Sequence, residues 1–364
     1  MSRWRRWCLP VIVASLGSLP FFVAYLMPDT FAPVLLLCIA SLTIFGRGMR
    51  WWELLLTMGL ASFAVVSHLS HLAIAALMVP ASLLVSLIIT RHRWWLPALV
   101  LVVLGIGFAE QSLLRTAAKE VSGSEVVIKP YITARLIQDG PGLRYLEAHC
   151  PNDAIPTCKL YTALQISDDP YRLTATHIVF ETSQQLGSFR LMTPDDQRVV
   201  AEAQIGFFFD VLADAPFDTT FAFLKNTLIQ SRLVSVDMTL PTEAIVAQNA
   251  AASGLMTGPF TRAADRGPWL VRPGQRDAGH ALPRVADRGG GFLFWPNRVP
   301  GRIKGLVVML LLGILANALV CGGISQPATR AMARQVIWLL PLARRSLSSS
   351  SAARGNSPTA RKRI

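Results

Sequence analysis

Long apolar runs separated by short basic clusters fill both ends of the chain, and a mixed, amphipathic pattern fills its middle. A helix crossing a hydrocarbon core of about 30 Å needs about 17–25 mostly apolar residues. Leu9–Met27 meets this, framed by "SRWRRW" and "PDT". Phe31–Phe45 is shorter, but the "GRGMRWW" after it supplies arginine and tryptophan anchors for the interface. The run Leu54–Thr90 would reach about 55 Å as one helix, too long for any tilt. Both of its ends are basic (Arg47 and Arg50 before, "RHR" after), so the pattern predicts two helices that turn near Ser67–His71. Trp94–Ala109 is a fifth span and Ile303–Ser325 a sixth, while Gln335–Ala343 covers half a bilayer and reads as interfacial.

Between the fifth and sixth spans the periodicity becomes that of surface helices. "YITARLIQDGPGLRYLEAHC" predicts helix, a break at Gly140–Gly142, then helix. "TPDDQRVVAEAQIGFFFDVLADA" opens with Pro194 and two acidic residues, the chemistry of a helix N-terminus. In "PFDTTFAFLKNTLIQSRLVSV" the residues Phe217, Phe221, Leu224 and Leu228 share one face. "RLTATHIVFETS" (172–183) is the best strand candidate. From Thr261 to Arg302 the chain turns to Gly, Pro and Arg, with an echo of "RAADRG" in "RVADRG". The pattern thus predicts an all-α polytopic membrane protein: a five-helix bundle over 1–109, a mainly helical extracytoplasmic domain over 110–260, a connector over 261–302, a sixth span over 303–325, and an interfacial segment with a basic tail over 326–364.

Composition supports this. The chain of 364 residues is 52% hydrophobic and only 16% charged, well below the charge content of soluble domains. The net charge of +13 raises nucleic acid as a partner, so the placement of the charges matters. Glu110–Arg302 holds 19 of the 35 basic and 20 of the 22 acidic residues and is close to neutral. The other basic residues, Lys304 apart, fall in segments that alternation puts on the N-terminal side of the membrane. The excess is therefore a membrane-orientation signal rather than a nucleic-acid footprint, and it predicts both termini inside with one large domain outside.

On an oxidising outer face Cys150 and Cys158 are expected to form a disulfide. Zinc would need two further ligands, and His177 and His280 are the only other external histidines. Cys8, Cys38 and Cys321 read as packing residues in apolar spans. His68 and His71 stand i, i+3 at the outer turn, where ligation or proton relay competes with simple satisfaction by water or backbone. Asn317 reads as an interhelical hydrogen-bonding residue. Asp168–Asp169 and Asp195–Asp196 sit beside prolines as cap pairs rather than a catalytic dyad. The stretch that holds Arg262, Arg266, Arg284 and Arg288 reads first as a solvated connector; the alternative is a patch for anionic lipid head groups or an acidic glycan. The sequence has no nucleophile elbow, phosphate loop, dinucleotide fingerprint or HExxH, and no cofactor or metal is expected.

"ARLIQDGPGLRYLEAHCP" and "NALVCGGIS…RQVIWLLPLA" resemble stretches of an uncharacterised group of bacterial integral membrane proteins. The resemblance covers about a tenth of the chain. It implies a bacterial inner membrane with the large domain periplasmic, and it carries no activity. After Ala343 the chain departs from that group and runs into "RRSLSSSSAARGNSPTARKRI", a basic tail attracted to anionic lipid. The leading expectation is a non-enzymatic envelope protein, embedded in the bilayer, whose external domain binds a partner protein or an anionic glycan or lipid. The alternative is a membrane enzyme or carrier acting on a lipid-linked envelope glycan precursor.

Overall fold

A computed structural model describes residues 28–88, 95–123, 127–232 and 300–324. Of these residues 84% are helical and none forms a strand. They fall into two compact units, one holding residues 28–108 and 300–317 and the other residues 109–232 and 318–324. The expected first span Leu9–Met27, the half-span Gln335–Ala343, the tail, Cys8, His280 and the four connector arginines lie outside the described residues.

The first unit begins with α1 (Ala32–Phe45), which is apolar on every side and buried along nearly its whole length. A helix of that character can only sit at the centre of a bundle or in lipid. Its Thr43 hydroxyl donates to the Ile39 carbonyl at 2.8 Å, so that buried hydroxyl is satisfied. α2 (Trp51–Ser67) opens where the backbone N–H of Arg50 donates to the Glu53 carboxylate at 2.7 Å. α3 (Leu69–Ile88) follows after a single extended residue, His68. The division of the long apolar run thus falls inside the expected Ser67–His71. α4 (Trp95–Ser122) is longer than the expected fifth span: it does not stop at Ala109. The apolar run ends there, but "EQSLLRTAAKE" is rich in strong helix formers, so the helix carries on.

Across the described residues three helices are long and apolar enough to cross a membrane: Leu69–Ile88, Trp95–Val121 and Gly301–Gly323. Ala32–Gly48 and Trp51–Ser67 are apolar but shorter. These lengths, with leucines such as Leu55, Leu56, Leu84 and Leu87 exposed rather than buried, suggest a membrane protein.

The second unit packs short helices around an apolar core that includes Ile137, Leu146, Leu160, Ile178, Phe189, Val200 and Val211. α5 (Tyr131–Asp139) and α6 (Pro141–His149) meet at Gly140, whose φ of +105° closes one helix and opens the next. A Cβ on Gly142 would come within 2.7 Å of the Leu136 carbonyl carbon, so the Gly-Pro-Gly sequence is needed for both turn and packing. α7 (Thr157–Leu164) follows the loop closed by Cys150 and Cys158. The expected strand at 172–183 is not one. Pro170–Leu173 is a 3-10 turn and Ala175–Phe180 is a short helix, α8. The side chain of Gln138, on α5, accepts the Ala175 N–H at 2.8 Å and so satisfies one of the free amides of that helix.

α9 (Pro194–Asp214) begins as its sequence dictates. Thr193 accepts the Asp196 N–H, Pro194 occupies the first turn, and Asp195 and Asp196 face the positive end of the helix. α10 (Pro216–Arg232) and α11 (Gly301–Ile324) complete the described elements.

Candidate functional site

Each unit holds one arrangement with chemistry of its own. In the first it is the break between α2 and α3. Nδ1 of His68 accepts the Ser70 N–H at 3.2 Å and faces the Ser70 hydroxyl at 2.7 Å, so His68 caps the start of α3. His71 is different. It is fully buried, and its Nδ1 donates to the Ala64 carbonyl at 2.6 Å, with the Ser67 hydroxyl 3.3 Å away. Donation from Nδ1 fixes the tautomer and leaves the lone pair of a neutral ring on Nε2. That Nε2 is buried with no hydrogen-bond partner. The two rings lie 5.5 Å apart, centroid to centroid, and tilted by 50°. Nearby, Val65 and Leu72 press so closely on Gly107 of α4 that any side chain there would overlap both. Sequence spacing paired the two histidines, and the structure brings them together, but with unequal roles.

In the second unit a cleft of 640 Å³ opens between the C-terminal half of α4 and the first half of α9. Arg115, Lys119 and Arg198 line it with Glu120 and Glu202, over a floor that includes Val127 and Ala201. All five charged residues are exposed, so the cleft is a wet, charged recess that can hold a polar ligand rather than a greasy one. These residues were missed at the sequence level, although a signal existed: Arg115 and Lys119, and Arg198 and Glu202, are i, i+4 pairs, each on one helix face.

Cys150 and Cys158 are joined, with Sγ–Sγ 1.99 Å and Cα–Cα 5.6 Å, and the Cys150–Pro151 peptide is cis. His149 stacks on Tyr145 at 4.2 Å and donates from Nδ1 to the Tyr145 carbonyl. Buried His177 donates from Nε2 to the Gly187 carbonyl at 3.2 Å and stands 3.5 Å from the Glu181 carboxylate. Among the described residues no three His, Cys, Asp or Glu side chains converge as metal ligands. Of the acidic pairs, Asp169 caps its 3-10 turn by accepting the Tyr171 N–H, and Asp196 takes Lys159 at 2.5 Å and the Thr193 hydroxyl at 2.8 Å. Those two contacts hold the Asp196 carboxyl below the usual aspartate range. Cys38 and Cys321 are buried in α1 and α11, and Asn317 is buried in α11.

No family model, curated protein or solved structure matches the chain.

Proposed function

We propose that this is a multi-pass protein of a bacterial inner membrane whose helical domain, residues 109–232, faces the periplasm and binds an anionic group on an envelope partner, either a protein or a glycan or lipid. The observation that carries this reading is the cleft between α4 and α9, where three cationic side chains share one recess. Its two carboxylates restrict what enters: a ligand with neutral hydrogen-bonding groups beside its negative charge fits better than a bare polyanion. The basic clusters at Arg3–Arg6, Arg47/Arg50 and Arg91/Arg93 support an inside N-terminus and an outside domain, and the Cys150–Cys158 disulfide supports an oxidising compartment.

The test uses the tagged full-length chain, purified in mild detergent with whatever it holds. Replacing Arg115, Lys119 and Arg198 together with glutamine is expected to reduce the specifically co-purifying species at least tenfold. Raising the salt should release that species from the unaltered chain, because exposed charges are screened. Recovery of the same species in the same amounts from the triple variant would refute the reading.

A second reading has one observation in its favour. The buried, unpartnered Nε2 of His71 suits a general base or ligand, as a membrane enzyme acting on a lipid-linked envelope glycan precursor would need. If His68→Ala combined with His71→Ala leaves a deletion-complementing phenotype intact, that pair has no catalytic role.

A further inference from the structure

The polarity of α10 is inverted. Phe217, Phe221, Leu224 and Leu228, at i, i+4, i+7 and i+11, form one stripe and are 88%, 69%, 54% and 55% exposed. The opposite face carries Thr219, Asn226, Thr227 and Gln230, all buried. A water-soluble domain places such a helix the other way round. Three of these four side chains donate hydrogen bonds within the protein. Asn226 donates to the Asp139 carboxylate at 2.6 Å, Thr227 to the Phe223 carbonyl at 2.9 Å, and Thr219 to the Val211 carbonyl at 3.4 Å.

The inner face also meets an apolar span. A Cβ on Gly322, in the last turns of α11, would come within 2.9 Å of the Thr227 backbone nitrogen, and one on Gly323 within 2.6 Å of the Phe223 ring. α11 is one of the helices apolar enough to cross a membrane, so at Phe223 and Thr227 α10 crosses a surface already suited to hydrocarbon. Lys225 lies about 70° around the helix from the centre of the stripe, close enough for its ammonium to reach a phosphate layer while its stem stays apolar.

We propose that the Phe217–Phe221–Leu224–Leu228 face of α10 contacts lipid acyl chains, making α10 a membrane-embedded flank of α11 rather than part of a freely solvated domain. Burial of its polar side and close packing on a span leave this stripe as the continuation of the lipid-facing surface.

The experiment uses the unaltered full-length chain in phosphatidylethanolamine/phosphatidylglycerol vesicles that contain a phospholipid with a diazirine in its acyl chain. After illumination, mass spectrometry is expected to find lipid adducts on Phe217, Phe221, Leu224 or Leu228 as readily as on exposed Leu83, Leu84 and Leu87 of α3. Adducts on α3 with none on α10 overturn the proposal. A second measurement places nitroxides at Phe221→Cys and Leu224→Cys, with Gln184→Cys as the water-facing reference, in a chain carrying Cys8→Ser. Relaxation by oxygen but not by a nickel chelate is expected at 221 and 224, and the reverse at 184. Access by the chelate means a water-facing stripe, and access by neither means cover by protein, whether a second copy or another segment of this chain. Either result overturns the proposal.

Discussion

Asn226 of α10 gives its amide to the carboxylate of Asp139 on α5 at 2.6 Å, across 87 positions of chain. Arg135 donates to the same oxygen at 2.9 Å. Burial pushes the Asp139 carboxyl above its usual range, while Arg135 and Asn226 pull it back. Both donors are therefore needed to keep a buried charge tolerable. Asn226→Ala removes one of them and is expected to cost about 1–3 kcal/mol, the usual range for orphaning a buried acceptor. Unfolding of the detergent-solubilised protein measures this. Ser231→Ala, on the outer side of the same helix, should stay within about 0.5 kcal/mol of the unaltered chain.

The disulfide closes a loop of eight positions. On the chain-entropy account a loop of that size stabilises by about 2–3 kcal/mol through the unfolded chain. Cys150→Ser with Cys158→Ser is expected to lower stability by that amount, and reductant should do the same to the unaltered chain while leaving the double variant untouched. A response of the double variant to reductant would assign the effect to some other pair.

Much of this was legible in the sequence, and the failures have identifiable causes. The start of α9 was readable because its cap is local: Thr193, Pro194 and Asp196 lie within four positions. The break at His68 was readable because the run was too long for one helix. The segment 172–183 was misread because its β-branched residues alternate as in a strand, while the group that stabilises the helix there is Gln138, far away in sequence. α4 overran its expected end because hydropathy stops at Ala109 and helix propensity does not. The cleft stayed hidden behind a louder signal, the arginine-rich stretch 261–302, of which 261–299 lie outside the described residues.

Acid should weaken the second unit through Glu181. Its carboxylate accepts the Ser183 and Thr182 N–H groups, each at 2.8 Å, and these hold it below the usual glutamate range. A carboxyl depressed in the folded state adds stability above its unfolded value of 4.5 and loses that share as pH falls through the lower folded value. Asp139 works in the opposite sense: burial favours its protonated form, so its share rises as pH falls toward 3.8. Melting temperatures between about pH 3 and pH 6 are therefore expected to fall less steeply for Glu181→Gln than for the unaltered chain. Parallel curves would mean that the two amide contacts do not persist in solution.

The packing of Gly322 and Gly323 on α10 bears on the direction of α11. The charge pattern has α11 leave the outer side at Gly301 and end inside, with the whole of Glu110–Arg302 outside. Yet its final turns belong to the same unit as residues 109–232, which also contains the C-terminal half of α4. Gly322 and Gly323 tie the end of α11 to α10, and a specific contact constrains direction more tightly than a statistical preference of charges. Ile324→Cys is therefore expected to react with a membrane-impermeant maleimide in intact cells, and Gly301→Cys to be protected until the membrane is opened. A chain carrying Cys8→Ser provides the background, since Cys38 and Cys321 are buried and Cys150 and Cys158 are joined. The reverse pattern, with 301 labelled and 324 protected, would mean that charge governs and that α10 meets α11 at the inner face.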